Sequence, residues 1–401
     1  MPSAISRRLF VATTLGQAGV FATLPRLMAD PGSSPFYVQG VSNAESAAIK
    51  KLLLDFMDDY QVPGLSLAMS YRGELKLVAC AGFADRDRQE EVRPTHLFRI
   101  ASVSKPITSV AILKLAEQGV LDLDERVFGA GVLGFNDELF ALGSENERRV
   151  RALTVRNLLE HTGGGWGNSR RDPMFATDAL ELDHDGLIRW TLRNRRLEHD
   201  PGEHYSYSNF GYCLLGRVIE RKTGRSYAQS VIRDVLGPCG IRESAMQIGG
   251  GTVAERLQNE VSYFGQDENA YAASMNVRRM DSHGGWVASP TDLVRFAVHV
   301  DGFSQPQDVL SDPSIAEMAT PSRVGQGYAK GWMVNKQNNW WHTGSFNGGS
   351  SILARIHDQH CWSMTVNTRS RTKEYRRDLD QLLWKIKRCV HAWGKHDLFV
   401  A

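Results

Sequence analysis

Charge of one sign, long apolar runs and pairable cysteines are all scarce in this chain of 401 residues. Lys and Arg number 47 against 45 Asp and Glu, a net charge of +2. With no basic field and no long like-charge run, nucleic acid is not an expected partner. No apolar run reaches the roughly 18 residues that a transmembrane helix needs. The cysteines number five, an odd count, at Cys80, Cys213, Cys239, Cys361 and Cys389. None stands in a C-x-x-C pair, which removes the usual zinc and thioredoxin-type signatures. Cys213 and Cys361 lie in apolar runs and read as buried, inert thiols. Repeats and low-complexity segments are absent. What remains is an ordinary globular balance, 42% hydrophobic and 23% charged, at a length that suggests two or three domains.

The N-terminus departs from this plain composition. Ser6-Arg7-Arg8-Leu9-Phe10 precedes a weakly apolar stretch from Val11 to Leu24, and small residues with a proline follow at Ala29, Asp30 and Pro31. A charged start, a short apolar run and a small-residue exit describe an export signal. The arginine pair is of the twin-arginine type. Residues 1–30 are therefore set aside from the fold, and a periplasmic or extracellular location is expected.

Hydrophobic spacing supplies the framework of the mature chain. Ile49, Leu52, Leu53, Phe56, Met57 and Tyr60 recur at helical period over Glu45–Tyr60. Val62–Ser70 and Leu75–Cys80 flank Arg72-Gly73 and read as a hairpin. Near the other end, Gly331–Asn335, Trp340–Thr343, Ser351–Ile356 and Trp362–Thr368 read as short strands with hairpin-length connections, hence antiparallel. A final helix over about Glu374–Trp393 carries Leu379, Leu382, Leu383, Ile386, Val390 and Trp393. Between these blocks lie helical patterns at Pro106–Gln118, Val155–His161, Asp185–Asn194, Asn209–Thr223 and Pro290–Val300. The expected organisation is one α/β (α+β) domain from both chain ends, residues 43–95 and 301–401, with a mainly helical insertion over 96–300. Residues 247–282 and 301–325 read as loops.

Three short segments carry chemistry. Ser102-Val103-Ser104-Lys105 opens an apolar helix, and residues three apart share a helix face. A serine hydroxyl needs a group to take its proton. A lysine serves only where burial or nearby positive charge lowers its pKa. Pro201-Gly202-Glu203-His204-Tyr205-Ser206-Tyr207-Ser208-Asn209 is a turn followed by a loop that can present a phenol and an amide. Trp341-His342-Thr343-Gly344-Ser345 ends a strand, and Gly344 permits close approach to the backbone.

Taken in this order, the segments resemble the serine β-lactamase and penicillin-binding protein superfamily, in its class C-like branch. Thr154–Gly164, Gly284–Leu293 and Tyr328–Trp332 resemble further segments of that branch, so the likeness spans about residues 45 to 395. It implies an antiparallel sheet flanked by N- and C-terminal helices, with an inserted helical domain. It implies Ser102 as the acyl-accepting nucleophile and Lys105 as the group that helps deprotonate and orient it. Tyr207 would be general base and then acid, its pKa lowered by the nearby ammonium, with Tyr205 a less suitable holder of that role. Asn209 would bind the substrate amide or the Lys105 amine. The N–H groups of Ser102 and Ser345 would form the oxyanion hole, and His342, Thr343 and Gly344 would line the substrate site. His342 stands where many β-lactamases of this branch carry lysine. A half-protonated imidazole offers weaker, pH-dependent attraction to a carboxylate.

The expected function is an exported serine hydrolase acting on a small-molecule or peptide ester or amide, with no cofactor or metal. An esterase or a D-aminoacyl or peptidoglycan-type peptidase ranks above a class C-like β-lactamase. A non-catalytic penicillin-binding or sensor protein on the same fold is the rival. A metal-dependent hydrolase using His161, His199, His204 and His342 lacks a ligand-spacing motif.

Overall fold

A computed structural model describes residues 34–140, 143–167, 172–266, 269–271 and 275–400. The export-type segment lies outside the described residues. The strands are β1 (Phe36–Gln39), β2 (Gly64–Tyr71), β3 (Glu74–Asp85), β4 (Glu90–Glu91), β5 (Phe98–Arg99), β6 (Met246–Ile248), β7 (Trp286–Ala288), β8 (Met333–Val334), β9 (Trp340–Phe346), β10 (Gly349–Ile356) and β11 (His360–Val366). The α-helices are α1 (Asn43–Asp59), α2 (Ser104–Glu117), α3 (Asn136–Phe140), α4 (Ser144–Ala152), α5 (Val155–Leu159), α6 (His184–Asn194), α7 (Asn209–Thr223), α8 (Tyr227–Val231), α9 (Pro290–Val298), α10 (Asp312–Ala319) and α11 (Tyr375–Cys389).

The main sheet runs β1-β3-β2-β11-β10-β9-β8, with β4 added to β3. Every pair in it is antiparallel. The two chain ends meet where β2 pairs β11, from Leu65 opposite Val366 to Tyr71 opposite His360. Arg72 and Gly73 both have positive φ, 53° and 79°. That is the two-residue turn whose twist suits a hairpin.

Both faces of the sheet are covered. On one, Leu65, Leu67, Met69, Ile352, Trp362 and Met364 pack under α1 and α11 through Leu53, Phe56, Leu379 and Leu383. On the other, Ala68, Val78 and Leu353 join the apolar cluster that fills the helical region. A shared core thus links sheet and helices, and among the described residues everything from Pro35 onward packs as one unit.

The element that positions the site is α2. Its residues Ser104–Leu113 are all buried, so this part has no solvent face and runs through the core, and only the last turn reaches the surface. Each of Ile107, Val110, Ile112 and Leu113 removed from water contributes about 1.5–3 kcal/mol. Thr108 Oγ1 donates to Ser282 O at 2.6 Å and meets Tyr227 Oη at 2.7 Å, and Tyr227 Oη accepts from Trp286 Nε1 at 3.0 Å. These bonds fix α2 along its axis.

The segment 301–325, read as loop, contains α10. Pro313 stands in the first turn after Ser311, and only Ile315 and Met318 are buried, too few for a visible stripe. Likewise β1 was not anticipated, because its four residues alternate half-buried and exposed. The five cysteines are unpaired, four of them buried.

Candidate active site

A short 3-10 turn, Ala101–Val103, precedes α2. Ala101 takes a left-handed φ of 48°, a conformation that costs a non-glycine residue energy and persists only where surroundings enforce it. The enforcement is visible on both sides. Ile100 N–H donates to Trp286 O at 3.1 Å, and Ser351 Oγ donates to Ile100 O at 2.6 Å. The turn is thus pinned between β7 and β10, with Ser102 half-buried at its centre. The Ser102 N–H belongs to a first helical turn, where N–H groups lack intrahelical acceptors.

Gly344 completes this clamp. A Cβ there would lie 2.1 Å from Ile100 O and 2.2 Å from Ser351 Oγ. The close approach expected of a ligand at Gly344 is instead made by the backbone of the serine turn.

Lys105 is fully buried. Its Nζ lies 3.1 Å from Ser102 Oγ, 2.8 Å from Asn209 Oδ1 and 3.0 Å from His283 O. Two of these partners only accept, and the third is a hydroxyl that can accept or donate. The geometry therefore suits both charge states. The ammonium donates three bonds; the neutral amine donates two to the carbonyls and turns its lone pair to Ser102 O–H. Burial drives the Lys105 pKa down to about 7, against the opposing field of Asp172.

Tyr207 comes from the loop before α7 and lies over this amine, with Lys105 Nζ 4.7 Å from its ring centroid. Burial raises its pKa, while the Ser102 hydroxyl pulls it back. The expected lowering of the phenol by an ammonium is thus reversed: the same burial that disfavours a phenolate also discharges the lysine. Tyr205 lines the cleft, pushed up to about 12 by burial.

His342 on β9 is buried, with Nδ1 2.8 Å from Thr343 O and Nε2 3.2 Å from Tyr328 Oη. A carbonyl only accepts, so Nδ1 carries the hydrogen and Nε2 accepts from the tyrosine. Burial, and next the field of Lys105, lower its pKa to about 3. The expected half-charged imidazole is therefore neutral at pH 7. Thr343 is exposed and Ser345 half-buried at the cleft edge.

Ser102, Tyr205, Tyr207, Asn209, Tyr328, His342, Thr343 and Ser345 converge on one cleft of about 660 Å³. Lys105 reaches it from beneath Ser102. Of the four histidines weighed as metal ligands, His161 and His342 stand near this cleft, while His199 and His204 stack on each other at 3.7 Å.

Residues 49–383 match the Beta-lactamase family model. The chain belongs to the Beta-lactamase family. Among curated proteins it is 29% identical over 252 residues to the probable fimbrial assembly protein FimD, serogroup H1, of Dichelobacter nodosus, covering 62% of this chain and 59% of that one. It is 24% identical over 320 residues to protein flp of Staphylococcus aureus strain N315, covering 78% and 61%. The chain thus spans about 60% of the length of these relatives. The D-amino acid amidase of Ochrobactrum anthropi SV3 superposes with a TM-score of 0.66 at 22% identity, covering 86% of this chain and 99% of that one. The antiparallel sheet with flanking helices is thus the β-lactamase/transpeptidase-like fold.

Four residues at or behind the cleft carry no role in the sequence reading, although Tyr328 falls in a segment quoted for the resemblance. Asp172 is buried behind Asn209, marked in the sequence only by an Asp-Pro cap. Tyr328 holds the histidine tautomer. Arg369 and Arg376 line the cleft, and no sequence pattern marks either as a site residue. Arg369 Nη2 donates to Asn347 Oδ1 at 2.9 Å, and Nη1 lies 3.5 Å from Ser345 Oγ.

Proposed function

We propose that this protein is a serine hydrolase that cleaves an amide or ester through an acyl-enzyme on Ser102. The observation that carries this reading is Lys105 Nζ, held by two carbonyl acceptors with Ser102 Oγ 3.1 Å away. At neutral pH about half of such amines are uncharged, since the pKa is about 7. The neutral amine takes the Ser102 proton as Oγ attacks the carbonyl carbon. The resulting oxyanion is stabilised by the N–H groups of Ser102 and Ser345. Tyr207, kept protonated by burial, gives its phenolic proton to the leaving nitrogen or oxygen as it receives one relayed from Lys105. Water then repeats the sequence on the acyl-enzyme, with Lys105 as base, and Ser102 is regenerated. Lys105 is the principal base in this scheme, and Tyr207 the donor to the leaving group.

The cleft's charges support a ranking of substrate classes. Neutral His342 supplies no cation, so recognition of a carboxylate passes to Arg369 and Arg376. This favours an esterase or a D-aminoacyl or peptidoglycan-type peptidase over a β-lactamase, and the amidase of like fold supports an amide substrate. The arginine pair at Arg7-Arg8 supports export in the folded state to the periplasm or beyond. Activity of the purified protein on aryl esters, D-aminoacyl amides and a chromogenic cephalosporin, each repeated with Ser102→Ala, tests the reading. Turnover of an ester or D-aminoacyl amide that vanishes in the variant is expected. Turnover that persists in Ser102→Ala contradicts it.

A further inference from the structure

We propose that Asp172 is a positioning residue for the acylation step: its buried carboxylate orients Asn209 and supplies the negative field that holds Lys105. This rests on the serine hydrolase reading above. Asp172 is 5% exposed, and such a carboxylate is costly unless its oxygens are occupied. Its Oδ1 accepts the Met174 N–H at 3.0 Å as the cap of the 3-10 turn Pro173–Phe175. Its Oδ2 accepts the Asn209 N–H at 2.7 Å, and its side chain also bonds that of Asn209. The first bond fixes the start of α7. The second sets which way the Asn209 amide faces. Asn209 Oδ1 is thereby aimed at Lys105 Nζ, 2.8 Å away.

The chain of contacts runs Asp172, Asn209, Lys105, Ser102, across residues far apart in sequence. Among the described residues, the groups facing Lys105 from each surrounding element are Ser102 from the serine turn, Tyr207 from its loop, Tyr212 from α7, and the neutral imidazoles of His161, His283 and His342. None is an anion. Asp172 is the charged group whose field acts on the amine, and it opposes the discharge caused by burial. Its own carboxyl is raised to about 6 by burial, with Lys105 and the amide bonds pulling back. Above that pH the carboxylate keeps part of the Lys105 population protonated. Removing the charge frees the amine as a base at lower pH.

The test is the rate of Ser102 modification by a fluorophosphonate as a function of pH, for wild type, Asp172→Asn, Asp172→Ser and Asp172→Glu, each checked for folding by its melting temperature. In Asn and Ser variants the acid limb is expected to move by about one pH unit or more toward acid, since a lost opposite charge shifts a pKa by that order. Asp172→Glu is expected to return the limb toward wild type. An acid limb unmoved in folded Asp172→Asn overturns the proposal, whatever the plateau rate, because a purely structural role lowers the rate without moving the limb. If no variant folds, lysine carbon-13 NMR of the wild type, assigned with Lys105→Arg, decides it. A Lys105 titration that carries a second step coupled to a carboxyl near 6 supports it; a single-step titration with no carboxyl coupling overturns it. Absence of Ser102 modification in the wild type would instead refute the serine hydrolase reading.

Discussion

Gly344→Ala is the sharpest perturbation of the clamp that holds the serine turn. The added Cβ would sit 2.1 Å from Ile100 O, where ordinary contact begins at 3.4 Å, and 2.2 Å from Ser351 Oγ. Neither neighbour can yield freely. Ile100 O accepts from Ser351 Oγ, and the Ile100 N–H is bound to Trp286 O. Relief requires β9 and the Ser102 turn to part by about 1 Å, a displacement that costs about 100-fold in rate when it separates reacting groups. Overpacking at such a site also destabilises by about 1–3 kcal/mol. The assay is the second-order rate of fluorophosphonate modification beside the melting temperature. A variant that melts lower but remains folded at 25 °C, and reacts about 100-fold more slowly, agrees with the clamp. Wild-type reaction rate in a folded Gly344→Ala would show that the serine turn does not depend on β9.

Other consequences are as direct. The wild-type modification rate should fall tenfold per pH unit below an apparent pKa near 7, because only neutral Lys105 accepts the serine proton; a rate still rising at pH 9 would place the base on the phenol. His342→Lys should weaken folding rather than improve carboxylate binding, since it buries an ammonium against Tyr328; a stable variant with tighter carboxylate binding would show that this position faces the ligand and is not closed off by Tyr328. The folded pKa of His342 is about 3, below its unfolded value of about 6.5. The unfolded chain therefore takes up a proton that the folded one refuses, and stability is lost as pH falls from 6.5 toward 3. Relative to His342→Gln, wild type should lose about 1.4 kcal/mol per pH unit across that window by denaturant melts; parallel curves would contradict the assignment. Arg376→Gln should raise KM for carboxylate-bearing substrates about tenfold and spare neutral ones; equal effects on both would remove the arginine from recognition.

Local signals were read more readily than spatial ones. Helix α7 was delimited as Asn209–Thr223, as found, because Ser208 caps its start, Gly224 follows at φ 68°, and its apolar face is dense. The strands of the main hairpins emerged because their turns carry Arg-Gly and Asn-Gly. Short charged α4 did not, since its pattern is that of a solvated surface. At the site, Ser102, Lys105, Tyr207, Asn209 and His342 were legible through spacing and resemblance, and the structure brings them around one cleft. Asp172 was not, because its meaning lies in the Asn209 N–H, 37 residues away. Nor were the charge states of Lys105, Tyr207 and His342. These depend on burial, and the depth of a side chain in the core is set by elements remote in sequence.

On the proposed mechanism Ser102 is a nucleophile made reactive by Lys105. Its most direct measurement is peptide mass spectrometry of the protein after brief exposure to a fluorophosphonate at pH 8. One stoichiometric adduct on Ser102, absent from Ser102→Ala and slowed by orders of magnitude in Lys105→Ala, is the predicted result. An unmodified Ser102, or an adduct formed equally fast without Lys105, would contradict the account.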